Sequence, residues 1–494
     1  MPLPVRAPLP QSRRFSAVQR VMGILLMVFS ITMLPPIGVS LYFEDGSSRA
    51  FLIGLAVTFI TGALVWYPVR DCRAELKIRD GFLVTALFWI VLGLFGAVPL
   101  YAVERPDLSL SQAAFEAISG LTTTGATVIV GLDQLPASVL YYRQQLQWFG
   151  GMGLVILAIA VLPMLGVGGM QLYRAEALGP VKDTKLTPRL VETARALWLI
   201  YLGLTVACAA AYRYAGMDWF DAIGHAYSTV ANGGFSTKDA SIGHFQNPLI
   251  ESICLVFMII AATNFALHFL AFRTLSLRGY VADAEFRLFI GIIAAASLGV
   301  TLLLLLEGTY SGGEVVLKAL FQVVSIGTTA GFTSADLSLW PMAVPPLMML
   351  VSFIGGCAYS TGGGIKVVRI MLLFKQGIRS VFQNIHPSAV APVKLGTRTV
   401  PDEVIQGVWG FFSVYMGFYV ILLVLMLLSG LDPLTAFGSV AATINNLGPG
   451  LGETASNFAG INSLALWVGT FGMLLGRLEL FPLLVLMTPY FWRR

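Results

Sequence analysis

The sequence predicts an all-α polytopic membrane protein of four linked repeats, preceded by two further transmembrane helices. Three observations predict it. Of 494 residues, 56% are hydrophobic and only 12% charged, and the mean hydropathy is +0.79. A soluble chain of that length carries about twice the charge and divides into several domains. Ten apolar runs are each long enough, or nearly so, to cross a bilayer. Four of the segments between runs share one plan, and repetition at this scale marks a repeated architecture.

The runs are residues 18–41 and 50–67, then 82–101, 140–165, 197–212, 249–272, 286–306, 347–374, 404–428 and 461–490. The first is too long for a cleaved signal peptide, and no small-residue cleavage site closes it. With the N-terminus inside, 24 of the 31 basic residues fall on the cytoplasmic side, 6 outside, and Arg477 within the last run. That asymmetry predicts both termini in the cytoplasm. The outer segments hold 15 of the 26 acidic residues, a sign that concentrates cations. Cys72, Cys208, Cys254 and Cys357 stand far apart and form no metal-ligand spacing, so they read as apolar filler. His268 has no matching Asp, Glu or Cys pattern within the spans, which excludes an intramembrane enzyme. The polar loops run only to about thirty residues, below domain size. GVGGM at 166–170 follows a transmembrane run rather than a strand, so no nucleotide-binding loop is present.

The repeated segments are SLSQAAFEAISGLTTTGAT, DWFDAIGHAYSTVANGGFST, GGEVVLKALFQVVSIGTTAGFTS and DPLTAFGSVAATINNLGPGLG. In each, a short amphipathic run follows an acidic or Ser/Thr cap and is broken by a small polar sequence. They superimpose Gly125, Gly234, Gly331 and Gly448, which are 109, 97 and 117 residues apart. A helix of about twelve residues cannot cross a bilayer, so each is re-entrant. One such turn alone reads as a surface connection. Four at equivalent places read as a set, because irregular backbone at membrane depth must be buried in protein or line water. Backbone carbonyls supply oxygen ligands to a dehydrated cation without a full charge, and glycine permits the dihedrals that aim them. Four helix C-termini pointing at one centre also favour a cation. The unit is therefore span, pore helix, filter, span, around a pseudo-fourfold pore. The expected boundaries are 1–80 for the two N-terminal helices, then 81–190, 191–280, 281–398 and 399–494 for the repeats.

Two further features lie toward the cytoplasm. Residues 355–364, GGCAYSTGGG, sit inside the eighth run. Either they form a loop lining the pore, or they pack helices closely through small residues. Arg477 lies about seventeen residues from the C-terminus inside an apolar run, where an unpaired cation is costly. Glu479, two positions on, is not on the same helix face. Its partner must be pore water or carbonyls such as those of Gly362, Gly363 and Gly364.

With SGLTTTGAT, LQWFGGMGLVILAIAVLPMLGVGGMQLYRAE, ANGGFST, TTAGFT, IGGCAYSTGGGIKVVRI, NNLGPGLG and GRLELFPLLVLMTPYFW in order, the whole chain resembles the Trk/Ktr/HKT superfamily of potassium transporters. The resemblance implies potassium as the permeant ion, no organic cofactor, a homodimer in the bacterial inner membrane, and a TrkA-type cytosolic nucleotide-binding ring as regulator. It implies a filter of Thr123, Thr124 and Gly125; Asn232, Gly233 and Gly234; Thr329, Ala330 and Gly331; and Asn446, Leu447 and Gly448. All four glycines are present, as in potassium-permeable members. It further implies that the loop with Gly362, Gly363 and Gly364 blocks the path below the filter and that Arg477 is part of the gate. Basic loops around 182–195 and 369–398 are candidate docking surfaces. The expected activity is potassium uptake through a gated, channel-like pore. The alternative is a secondary transporter coupled to protons or sodium, which usually needs ionisable residues at midplane.

Overall fold

The computed structural model describes residues 15–71, 78–160, 186–310, 312–396 and 398–492. Cys72, GVGGM at 166–170, residues 182–185 of one basic loop and the end of the fourth run lie outside them. Two helices, α1 (Ser16–Ile31) and α2 (Leu34–Phe43), form the first span, and α3 (Ser48–Trp66) returns. The first repeat has α4 (Ile78–Ala102), α5 (Leu110–Leu121) and α6 (Ala137–Ala160). The second has α7 (Leu186–Tyr214), α8 (Trp219–Val230), α9 (Pro248–Ala261) and α10 (Phe265–Thr274), followed by a one-turn α11 (Arg278–Ala282). The third has α12 (Ala284–Leu306), α13 (Glu314–Gly327), α14 (Val344–Ser352) and α15 (Val367–Ile385). The fourth has α16 (Asp402–Leu428), α17 (Pro433–Ile444), α18 (Ser463–Arg477) and α19 (Phe481–Met487), and α20 (Pro489–Trp492) closes the chain. Lys394–Leu395 and Arg398–Thr399 form one small antiparallel ladder.

Among the described residues six helices are long and apolar enough to cross a membrane, or eight if two bent pairs each count as one span. The other two of the ten runs differ from a simple span for visible reasons. The fourth, α6, buries Arg143, Gln144, Gln145 and Gln147. The eighth is split into α14 and α15 by residues 353–366.

Burial inverts the pattern of a soluble core. Along α12 only 28% of the apolar window is buried, and Leu298, Leu302, Leu305 and Leu306 face outward. The short helices α5, α8, α13 and α17 are instead mostly buried, above all in their C-terminal halves. Without a hydrophobic drive between helices, close approach comes from small residues. Gly23 of α1 and Gly62 of α3 show this, since a Cβ on either would lie 2.9 Å from the other's carbonyl oxygen.

Helix starts follow local chemistry. Ser109 caps α5 in a capping box with Gln112, while Asp218 accepts from Asp221 N and Asp432 from Leu434 N. The third short helix lacks a side-chain cap and has Glu314 in its first turn. Helix breaks do likewise. Asn264 caps α10 after a 95° bend, and Pro482 opens α19 after a 112° bend.

Candidate functional site: a ring of glycine turns and an adjoining loop

The four short helices end in the same backbone. Positive φ recurs two residues before each glycine, at Thr123 (54°), Asn232 (50°), Thr329 (62°) and Asn446 (53°). It recurs at Gly125 (83°), Gly234 (80°), Gly331 (80°) and Gly448 (101°). Left-handed backbone is costly for residues with a Cβ, so its appearance at four matching places is a built feature. The residue before each glycine donates its N–H to a carbonyl five residues back. These bonds are Thr124 to Ser119 (2.9 Å), Gly233 to Ser228, Ala330 to Ser325 and Leu447 to Ala442 (2.8 Å each).

The turns close on one another. A Cβ on Gly125 would collide with the Gly233 carbonyl oxygen, on Gly234 with that of Ala330, and on Gly331 with that of Leu447. A Cβ on Gly448 would sit 2.8 Å from the Thr124 oxygen, which returns the circle to the first repeat. Neighbouring repeats therefore meet in cyclic order, backbone against backbone. A ring of carbonyls at fixed geometry is suited to a bare cation, and the facing helix C-termini add their partial negative charge. Among the described residues no group of three or more His, Cys, Asp or Glu could hold a metal ion.

Behind the ring each repeat is braced differently. In the first, Arg143 Nε donates to Glu116 at 2.7 Å, and Glu116 also accepts from the Thr127 hydroxyl and the Val128 N–H. In the second, Gln147 donates to the Gly233 carbonyl (2.6 Å) and accepts from Phe235 N–H, while His225 bonds Ser236. In the third, the Ser325 hydroxyl donates to the Phe332 carbonyl, and Lys318 bridges Glu251 and the Ser334 carbonyl. In the fourth, Ser439 and Thr454 hydroxyls meet at 2.9 Å. Glu116, Asp221 and Glu251, counted above among the outer acidic residues, are ion-paired to Arg143, Lys238 and Lys318. Their contribution to a negative outer field is correspondingly reduced.

Below the ring, residues 353–366 form a loop rather than a close helix packing. The bend between α9 and α10 frees carbonyls that the loop uses. Cys357 N–H donates to Ala262 and Thr361 N–H to Ala261, and Phe265 N–H donates back to Tyr359. Glu285 of α12 accepts from the N–H groups of Ala358 (2.7 Å) and Val368 (3.2 Å). Gly363 N–H donates to the Thr329 hydroxyl (2.6 Å) and Gly364 N–H to the Asn445 carbonyl (3.0 Å). A Cβ on Gly362 would come within 2.8 Å of the Thr328 oxygen, so glycine permits this approach. The loop's backbone is thus paired with protein, as backbone at membrane depth requires.

Arg477 is buried at the last residue of α18, where that helix stops, not in mid-helix as the apolar run suggested. Its guanidinium donates to the carbonyls of Thr361 (3.3 Å) and Gly150 (3.4 Å) and lies 5.5 Å over the Trp89 ring. The acceptor in the loop is Thr361, next to the three glycines the sequence pointed to. Glu479 turns away to Arg369, at 2.5 Å.

All the sequence-selected residues therefore gather in two adjoining layers, the glycine ring and the loop with Arg477. Sequence reasoning missed Gln147, Glu285, Thr361 and Asn445. The cluster RQQLQ inside the fourth run was a legible signal for Gln147, because polar residues within a span face protein. Thr361 lies in the loop segment already singled out, but neither its partners nor those of Glu285 and Asn445 could be read, since they are groups distant in sequence.

Residues 47–493 match the TrkH family, described as a cation transport protein. The chain is 54% identical over 477 residues to the Trk system potassium uptake protein TrkH of Halomonas elongata, covering 97% of this chain and 99% of that one. It is 52% identical over 480 residues to the protein of the same name from Escherichia coli K12, with the same two coverages. The crystal structure of the potassium transporter TrkH from Vibrio parahaemolyticus superimposes with a TM-score of 0.91 at 50% identity, covering 97% of this chain and all of that chain. With that agreement in sequence and fold, the chain belongs to the TrkH family of cation transport proteins.

Proposed function

We propose that this protein takes up potassium across the bacterial inner membrane through a gated, channel-like pore driven by the membrane potential. The observation that carries the reading is the closed circle of four glycine turns, each pressed against the next one's carbonyl. Thr123, Thr124 and Gly125, with Asn232, Gly233 and Gly234, Thr329, Ala330 and Gly331, and Asn446, Leu447 and Gly448, are the filter whose carbonyls replace the ion's water. Potassium is the permeant species and no organic cofactor is required. The relatives' name, potassium uptake protein, supports that choice of ion.

The loop through Gly362, Gly363 and Gly364 plugs the path below the filter, and Arg477 holds it closed by contact and by repelling cations. A TrkA-type cytosolic nucleotide-binding ring releases it, docking on basic loops of a cytoplasmic face that also carries both termini. A homodimer is part of the proposal, with the exposed apolar stripe Phe374, Ile378, Val381 and Ile385 of α15 as its candidate face.

The test is the reversal potential of purified protein in liposomes under separate potassium, sodium and proton gradients. The expected result is reversal that follows the potassium gradient alone. A pH-dependent shift of the size stoichiometric coupling demands would overturn the channel reading in favour of a proton-coupled carrier.

A further inference from the structure

Thr361 stands where the ring, the loop and Arg477 meet, and it is fully buried. Its carbonyl accepts from Arg477 at 3.3 Å. Its hydroxyl accepts from the Asn232 amide nitrogen at 3.1 Å. The single hydroxyl proton then goes to the Val230 or the Ala261 carbonyl, each 3.1 Å away. Val230 ends α8, and Asn232 is the first member of the second filter segment in sequence. One loop residue thus ties the second pore helix, its filter segment and the arginine together.

The tie is not shared equally among repeats. Thr329 is held to the loop by Gly363 N–H. Asn446 is held instead by Thr124 and by the Met473 carbonyl of α18, neither of which belongs to the loop. Asn232 has no such second support, because its Oδ1 is buried without a hydrogen-bond partner among the described residues. When the loop withdraws, Asn232 loses the bond that fixes its side chain in a left-handed residue already under strain.

We propose that Thr361 is a latch between gate and filter, so that withdrawing the loop also loosens the first residue of the second filter segment and weakens discrimination between potassium and sodium. The proposal rests on the potassium-pore reading above and adds a positioning residue to it. Selectivity of the conducting pore then depends on how far the loop has withdrawn: stricter while Thr361 still holds Asn232, more permissive once that bond is lost. Repeats two and three carry the tie through filter side chains, whereas the fourth repeat meets the loop through the Asn445 carbonyl, which accepts from Gly364 N–H.

Thr361→Val removes the acceptor for Asn232 at nearly constant volume, and Thr361→Ser keeps it. In liposomes without regulator, Thr361→Val is expected to raise potassium flux about tenfold, the equivalent of roughly one buried hydrogen bond. Its potassium-over-sodium permeability ratio is expected to fall, by about threefold on the same scale. Thr361→Ser is expected to match the unsubstituted protein in both. Should the valine variant not fold, Thr361→Ala reads the same contact without the branched methyl. Raised flux with an unchanged permeability ratio would show a plug uncoupled from the filter and overturn the latch. Unchanged flux and ratio would overturn it as well. If the unsubstituted protein itself does not follow the potassium gradient, the pore reading fails first, and that result is separate from either.

Discussion

The two layers of the site differ in symmetry. At the glycine ring all four repeats contribute alike, with the same positive-φ pair, the same five-residue hydrogen bond and the same contact with the next repeat. Below it each repeat gives something different. The second supplies the freed carbonyls of a broken helix, the third supplies the loop, the fourth supplies Arg477, and the first supplies the Gly150 carbonyl and the Trp89 ring that receive it. A cation approaching along the axis is best served by equivalent oxygens on every side. On the proposed reading the lower layer is a barrier, which needs only one element that can leave, so symmetry there would only multiply the moving parts. The chain repeats its turn four times and spends sequence variation on the layer beneath.

The largest expected effect tests the symmetric layer. Alanine at Gly125, Gly234 or Gly331 forces a Cβ into a neighbouring carbonyl in a left-handed residue, adding about 1–2 kcal/mol of strain to a collision. Near-complete loss of potassium flux is expected for all three, measured in liposomes against a matched amount of protein. Gly448→Ala is expected to retain the most flux, since its Cβ would overlap the Thr124 carbonyl oxygen least, at 2.8 Å against 2.0 to 2.2 Å for the other three. If one of the first three tolerated alanine while Gly448 did not, the cyclic contact would not be what holds the ring.

A second, smaller effect probes why equal backbones have unequal supports. Glu116→Gln leaves Arg143 buried with no counterion and weakens the bonds from Thr127 and Val128. Breaking a buried pair from one side costs about 3–5 kcal/mol. Thermal unfolding in detergent is expected at a clearly lower temperature, with the Glu116→Gln, Arg143→Met double variant recovering part of the loss. An unchanged unfolding temperature in the single variant would mean the pair does not brace the first turn.

The ring was legible in the sequence because glycine spacing, short helices and small polar residues are local signals, and the fourfold recurrence multiplies them. The loop was legible as a departure from helix, since GGCAYSTGGG cannot maintain a lipid-facing span. What could not be read is which distant group each residue meets. Arg477 was visible as a costly charge, but its position at a helix end depends on the break at Glu479 and Leu480, two left-handed residues before Pro482. The acidic outer face was read from counts alone, and pairing with Arg143, Lys238 and Lys318 changes its meaning. Such pairs join residues 17 to 67 positions apart, beyond any periodic pattern.

The smallest effect belongs to the fourth repeat, where no ion pair among the described residues braces the turn. Thr454 is fully buried, meets Ser439 at 2.9 Å and donates to the Leu451 carbonyl at 3.0 Å. Thr454→Val removes both bonds at nearly constant volume, for a cost of about 1 kcal/mol or somewhat more. Flux and selectivity are expected to persist, and the unfolding temperature is expected to fall by a third or less of the change in Glu116→Gln. That ordering follows from charge: a neutral brace leaves behind one unsatisfied hydroxyl, whereas an ionic brace leaves a bare guanidinium. Equal losses in the two variants would mean that the turns are held mainly by each other across the ring, with the braces behind them as minor supports.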